Sequence, residues 1–226
     1  MRAGRADSPV RIRAVVCDLD GTLIDTERVF AEAARRLLAR RGQELEESFM
    51  ASIQGTPGRD ALPRFRDRYA LTEPLEVLAA EYKRHFFDVL DGRPPALMPG
   101  AEALLRRLES GRVPRAIATS SRREYVETVL APHGVLHRFD FVLTADDVAR
   151  GKPSPDVFLL AAERFDVPAG QMAVIEDSAA GCRAARAAGA CCIIVPHAHT
   201  PLDQVADADA LFPALDDPGL WRWLGI

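Results

Sequence analysis

Apolar positions along the chain switch between two periods. A short apolar run at residues 12–17 reads as a buried strand. Phe30, Ala33, Ala34, Leu37 and Leu38 then fall at helical spacing, and Gly42 closes that pattern. From there to about Pro95 every apolar pattern is helical or broken. "GTPGRD" reads as a turn, "ALPRFRDRYA" as a short helix interrupted by Pro63, "EPLEVLAAEYKRHFFDVL" as a longer helix and "DGRPP" as a linker.

Beyond Pro99-Gly100 strands and helices alternate. The helix "AEALLRRLES" stops at Gly111, and the strand "RAIAT" follows. Ser121 and Glu124 have the spacing of a capping box for the helix "RREYVETVL". "FDFVLTA" is a strand, and Ser154 and Pro155 suit the N-cap and first position of "DVFLLAAERF". "MAVIE" is a strand, Ser178 caps an Ala-rich helix that Gly189 ends, "CCIIV" is a buried strand and "DALF" an edge one. This alternation predicts an α/β fold, a Rossmann-like parallel sheet with helices on both faces. The helical stretch inserted after the first strand predicts a second domain. The expected division is a core of residues 1–25 and 96–226 and an all-helical cap of residues 26–95.

Size and charge narrow the class. The 226 residues suffice for one large domain or a domain with an insert. A net charge of -4 offers no overall basic footprint for nucleic acid. Cys17, Cys182, Cys191 and Cys192 show neither CxxC spacing nor disulfide density, which favours a reducing, cytoplasmic setting. The N-terminal stretch lacks the apolar region of a signal peptide, and no run approaches the length of a membrane span. A monomer is the expected state.

Candidate chemistry gathers where strands end, the place where open α/β sheets bind ligands. The first strand delivers Asp18 and Asp20, the second Thr119, Ser120 and Ser121, and the fourth Glu176 and Asp177; Lys152 lies in "RGKPSPD" before a helix. Several carboxylates around one point repel unless a cation sits among them. Oxygen ligands without His or Cys favour Mg2+ over zinc, and a lysine with a small hydroxyl opposite would hold phosphate charge. The grouping suits phosphoryl transfer. Asp18 can attack phosphorus, and Asp20, two residues on and on the same side of an extended chain, can act as general acid and base. Gly21 lets the chain turn and leaves space for the phosphoryl group. His197 and His199 in "PHAHT" read as an ordinary loop, Cys191 and Cys192 as core, and Ser121 as a helix cap.

"DLDGTLIDTE" resembles the first motif, DxDGT, of the haloacid dehalogenase (HAD) superfamily. "AIATSS", "GKPSPDVF" and "VIEDSAAGCRAARAAG" resemble its second, third and fourth motifs, in the same order. The resemblance implies that Asp18 is nucleophile and metal ligand and that Asp20 is general acid/base, its carbonyl also on the metal. It implies that Thr119 and the backbone N–H of Ser120 bind phosphoryl oxygens, that Lys152 neutralises charge, and that Asp177 completes a magnesium site with Glu176 acting directly or through water. Asp20 separates the chain from the family's dehalogenases, which lack it, and from phosphonatases, which carry Ala there. The insert resembles the helical cap of the subgroup holding β-phosphoglucomutase and small-metabolite phosphatases. The implied activity is magnesium-dependent hydrolysis of a small phosphorylated metabolite such as a sugar phosphate. A phosphosugar mutase is the alternative, although "GTPGRD" departs from the mutase loop GVSRED, with Gly58 where its arginine falls. Arg59, Lys83 and Arg84 are the cap cations that could reach the substrate's distal part.

Overall fold

The computed structural model describes residues 10–53, 58–92, 94–197, 200 and 202–226, without the side chains of residues 51 and 59. Two compact units result: one runs to Ile24 and resumes from Leu97 to the C-terminus, and the other is Asp25–Ala96.

The first unit is built on a six-stranded sheet. Its strands are β1 (Ala14–Cys17), β2 (Arg115–Ala118), β3 (Phe141–Leu143), β4 (Met172–Glu176), β5 (Cys191–Ile194) and β6 (Ala210–Leu211), in the order β3-β2-β1-β4-β5-β6. All neighbours pair in parallel. Every residue of β1, β4 and β5 is buried, so both faces of the sheet are covered, as near-continuous apolar runs require. Val16, Val174 and Cys192 share one face. They pack with Phe158 and Ala161 of α7 (Asp156–Phe165) and with Cys182 and Ala185 of α8 (Ala179–Ala187). Small alanines let α8 lie close to the strands. The strand order reverses direction between β1 and β4, leaving a crevice at their carboxyl ends.

The same unit holds α5 (Ala101–Ser110), α6 (Arg123–Leu130) and α9 (Pro218–Leu224). Helix α9 carried no clear sequence signal, yet Asp217 caps it through Gly219 N–H, and Leu220, Trp223 and Leu224 are buried. Two expected caps differ. The N-cap of α6 is Arg122 and makes no side-chain cap; the Ser121 hydroxyl bonds Asp20 instead. The N-cap of α7 is Pro155, and the Ser154 hydroxyl bonds the Asp156 carboxylate rather than a backbone N–H.

The second unit is all helical: α1 (Glu27–Ala39), α2 (Glu47–Ile53), α3 (Gly58–Arg68) and α4 (Leu75–Gly92). Leu37 and Leu38, Ile53, Phe65 and Tyr69, and Leu78 form its core. Helix α3 runs through Pro63 without a break. Proline removes one helix hydrogen bond, and the burial of Phe65 and Tyr69, with ring centroids 4.8 Å apart and Phe49 tilted or edge-on against both, offsets that loss. Of the expected turn "GTPGRD", Gly58 to Asp60 form the first turn of α3; residues 55–57 lie outside the described residues. No helix among the described residues is long and apolar enough to cross a membrane.

Candidate active site

The loops that follow β1, β2, β3 and β4 at their carboxyl ends supply the site. The β1–β4 ladder continues one residue past the strand, with Asp18 N–H donating to the Ile175 carbonyl at 2.9 Å. The chain then bends, and the Leu19 carbonyl accepts from the N–H groups of Leu23 and Ile24. The strand therefore ends before Asp20, so Asp18 and Asp20 do not sit on one extended segment. Gly21 has φ +80°, as a sharp turn requires. The second role expected of Gly21 is corrected: a Cβ there would lie 2.2 Å from the Asp177 carboxylate, so that carboxylate, not a phosphoryl group, occupies the space. Asp177 is fixed from behind by the Thr200 hydroxyl, which donates to its carbonyl at 2.7 Å.

Lys152 is the hub. It is 4% exposed, and its Nζ lies 2.5 Å from Asp18 Oδ1, 2.5 Å from Glu176 Oε1 and 2.9 Å from the Ala118 carbonyl. An ammonium has three N–H donors, and all three are used. Burial works against its charge, but the carboxylates of Asp18 and Glu176 outweigh it and hold the lysine above its ordinary pKa. Asp18 behaves oppositely. Burial, followed by the charge of Glu176, pushes its carboxyl up to about 7 despite Lys152.

Glu176 is fully buried. Its other oxygen accepts from the Ser178 hydroxyl at 2.9 Å, and Ser178 Oγ in turn accepts from Gly181 N–H at 3.0 Å as the N-cap of α8. A side chain at 181 would fall 1.9 Å from that carboxylate, so only glycine fits the first turn beside it. The start of α8 also favours negative charge there.

Asp18, Glu176 and Asp177 are all buried and can each bring a carboxylate oxygen within 4.8 Å of the others. Three buried anions with one ammonium between two of them make an oxygen-only site short of positive charge, which fits a hard divalent ion. The Asp20 carboxylate is outside this trio. Its Oδ2 accepts from Ser121 Oγ at 2.8 Å, and its Oδ1 accepts from the Tyr125 hydroxyl. Thr119 is buried, its N–H bonded to the Leu143 carbonyl and its Oγ1 accepting from Ser121 N–H at 3.0 Å. Ser120 is exposed.

The structure thus brings Asp18, Lys152, Glu176 and Asp177 together, and Asp20 meets the loop of Thr119 to Ser121. Sequence reading missed Tyr125 and gave Ser121 another task. The signal available was spacing: Ser121 and Tyr125 are four apart, one helical turn, directly after a polar strand end. Cap-unit candidates stand apart from this cluster in the sequence. Lys83 and Arg84 are exposed on α4, with Lys83 Nζ 5.5 Å from the Phe87 ring centroid and Arg84 lining a hollow with Arg40, Glu76 and Val77. Arg59 is in the first turn of α3, its side chain outside the described residues. His197 N–H bonds the Thr200 hydroxyl at 2.9 Å; His199 lies outside the described residues.

Comparison with known proteins agrees with this geometry. The sequence model of the haloacid dehalogenase-like hydrolases matches residues 12–189. Validoxylamine A 7'-phosphate phosphatase of Streptomyces hygroscopicus subsp. limoneus is 35% identical over 212 residues, 93% of this chain and 96% of that protein. Fructose-1-phosphate phosphatase YqaB of Escherichia coli is 34% identical over 180 residues, 79% of this chain and 94% of that protein. The crystal structure of CbbY from Rhodobacter sphaeroides in complex with phosphate superposes with a TM-score of 0.78 at 28% identity, covering 91% of this chain and 96% of that one.

Proposed function

The chain belongs to the haloacid dehalogenase-like hydrolases, and we propose that it is a magnesium-dependent phosphatase of sugar or related polyol monophosphates that works through an aspartyl phosphate on Asp18. The observation that carries this reading is the three-way clasp of Lys152 on Asp18, Glu176 and the Ala118 carbonyl. It pins one oxygen of Asp18 and balances its charge. The relatives include phosphatases named for phosphorylated carbohydrates, fructose 1-phosphate and glycerol 3-phosphate, which supports the substrate class, alongside others named for FMN and pseudouridine 5'-phosphate.

In the first step an Asp18 oxygen bonds to phosphorus. The bond from phosphorus to the leaving oxygen breaks with its electron pair, and protonated Asp20 gives that oxygen its proton. In the second step water attacks phosphorus and loses a proton to Asp20. The bond from phosphorus to Asp18 breaks, restoring the carboxylate and releasing phosphate. Thr119 Oγ1 and the Ser120 N–H are assigned to the phosphoryl oxygens, and Lys152 balances the charge that accumulates on them. Asp18, Asp177 and the Asp20 carbonyl would hold the magnesium ion, with Glu176 acting directly or through water. When bound, the ion supplies charge neutralisation at the phosphoryl group. The helical Asp25–Ala96 unit is assigned the choice of substrate, with Arg59, Lys83 and Arg84 as its candidate cations. Four free, buried cysteines are in keeping with a reducing, cytoplasmic setting.

The test is phosphate release from a panel of sugar and polyol monophosphates, with magnesium and with chelator. Magnesium-dependent release is expected. Isomerisation of β-glucose 1-phosphate to glucose 6-phosphate without net phosphate would instead identify a mutase.

A further inference from the structure

The two aspartates are held by chemically different groups. Asp18 is held by an ammonium, which only donates hydrogen bonds. Asp20 is held by hydroxyls on both of its oxygens, Ser121 at Oδ2 and Tyr125 at Oδ1. A hydroxyl donates to a carboxylate and, after turning its proton, accepts from a carboxylic acid. Such a pair serves Asp20 in both protonation states without any heavy atom moving. That is what a group needs when it must lose and regain a proton within each turnover, whereas a nucleophile that reacts as its carboxylate is suited by a donor-only neighbour.

The mounting is rigid. Ser121 N–H donates to Thr119 Oγ1 at 3.0 Å, and its carbonyl accepts from Ala145 N–H at 2.9 Å, so its hydroxyl is tied to the ends of β2 and β3. Tyr125 stands in the first turn of α6, half-buried, one turn beyond Ser121. The pull of a capping box at Ser121 is thereby overridden by a polar group more than a hundred residues away.

We propose that Tyr125, with Ser121, is a positioning residue that fixes the Asp20 carboxyl in both its charged and neutral forms and so sets its action as general acid and base. This rests on the phosphatase reading above. General acid–base catalysis contributes roughly 10²–10⁴-fold, so misaligning Asp20 is expected to cost about tenfold or more.

The experiment compares wild type, Tyr125→Phe, Ser121→Ala and Ser121→Thr on two substrates, an alkyl sugar phosphate and p-nitrophenyl phosphate. For Tyr125→Phe, kcat/KM on the sugar phosphate should fall about tenfold or more. On p-nitrophenyl phosphate it should fall far less, because the phenolate departs without a proton. Ser121→Ala should behave alike and Ser121→Thr, which keeps a hydroxyl, should recover most of the loss. An equal fall on both substrates, or no fall at all, would overturn the positioning role while leaving the phosphatase reading intact. A wild-type protein that releases no phosphate from either substrate would overturn the phosphatase reading itself, and this proposal with it.

Discussion

Lys152 uses all three of its N–H groups inside the protein, and Asp18 and Glu176 are tolerated in the core only because it does. Breaking such a buried pairing by removing one partner costs about 3–5 kcal/mol. Lys152→Met, measured by urea denaturation in chelator at pH 8, should lose stability of that order; an unchanged midpoint would contradict the pairing. Gly181 tests the same cluster by space. Alanine in a helix is favoured over glycine by about 1 kcal/mol, but here its Cβ would fall 1.9 Å from the Glu176 carboxylate. Overpacking of a filled core typically costs about 1–3 kcal/mol, so Gly181→Ala should lower the melting temperature despite the helix preference. At this scale the acidic and basic residues of the site were legible, because the carboxylates stand at or just after the ends of apolar strands and Lys152 lies in a recognisable motif before a helix. Tyr125 was not, since its one-turn spacing from Ser121 shows that the two share a face but not that the face meets an aspartate after another strand. Gly181 was equally silent, its need arising from a carboxylate one turn away in space.

Elements were legible where one period dominated. The strands 14–17, 172–176 and 191–194 stand out because burial on both faces makes them continuous apolar runs. Helices α5 and α8 carry clean stripes and stop near Gly111 and Gly189. Reading failed where a local rule met a tertiary competitor. Pro63 was expected to interrupt its helix, yet α3 continues because Phe65 and Tyr69 reward the helical geometry. The proline still lacks its hydrogen bond. Proline within a helix costs about 3 kcal/mol, less up to about 1 kcal/mol that it withholds from the unfolded chain, so Pro63→Ala should stabilise the protein by about 2 kcal/mol in urea denaturation. Destabilisation would mean that the ring's own packing outweighs the missing bond. Helix α9 escaped reading because its short sequence, "PGLWRWL", begins with two helix-poor residues and owes its place to the burial of Leu220, Trp223 and Leu224.

For the whole molecule, the reversal of strand order between β1 and β4 brings residues 18, 152, 176 and 177 to one place, and under the proposed function this placement couples folding to pH and to metal. Asp18 has its carboxyl pushed up to about 7 by burial and Glu176, against about 4 in an unfolded chain. Between those values the metal-free fold binds more protons than the unfolded chain at this group. The group's contribution to stability is therefore greatest at low pH and is lost as pH rises through about 7. A divalent ion held by Asp18 would take the place of that proton, so the melting-temperature gain from magnesium should be larger at pH 8 than at pH 6, and Asp18→Asn should shrink the difference. Equal gains at both pH values would contradict this coupling. The most direct measurement is of Asp18 during turnover. Enzyme mixed with a sugar phosphate and magnesium, quenched rapidly and reduced with borohydride, should yield homoserine at position 18, since reduction converts an aspartyl phosphate to that residue. Phosphate released at full rate while position 18 remains aspartate in every quenched sample would contradict it.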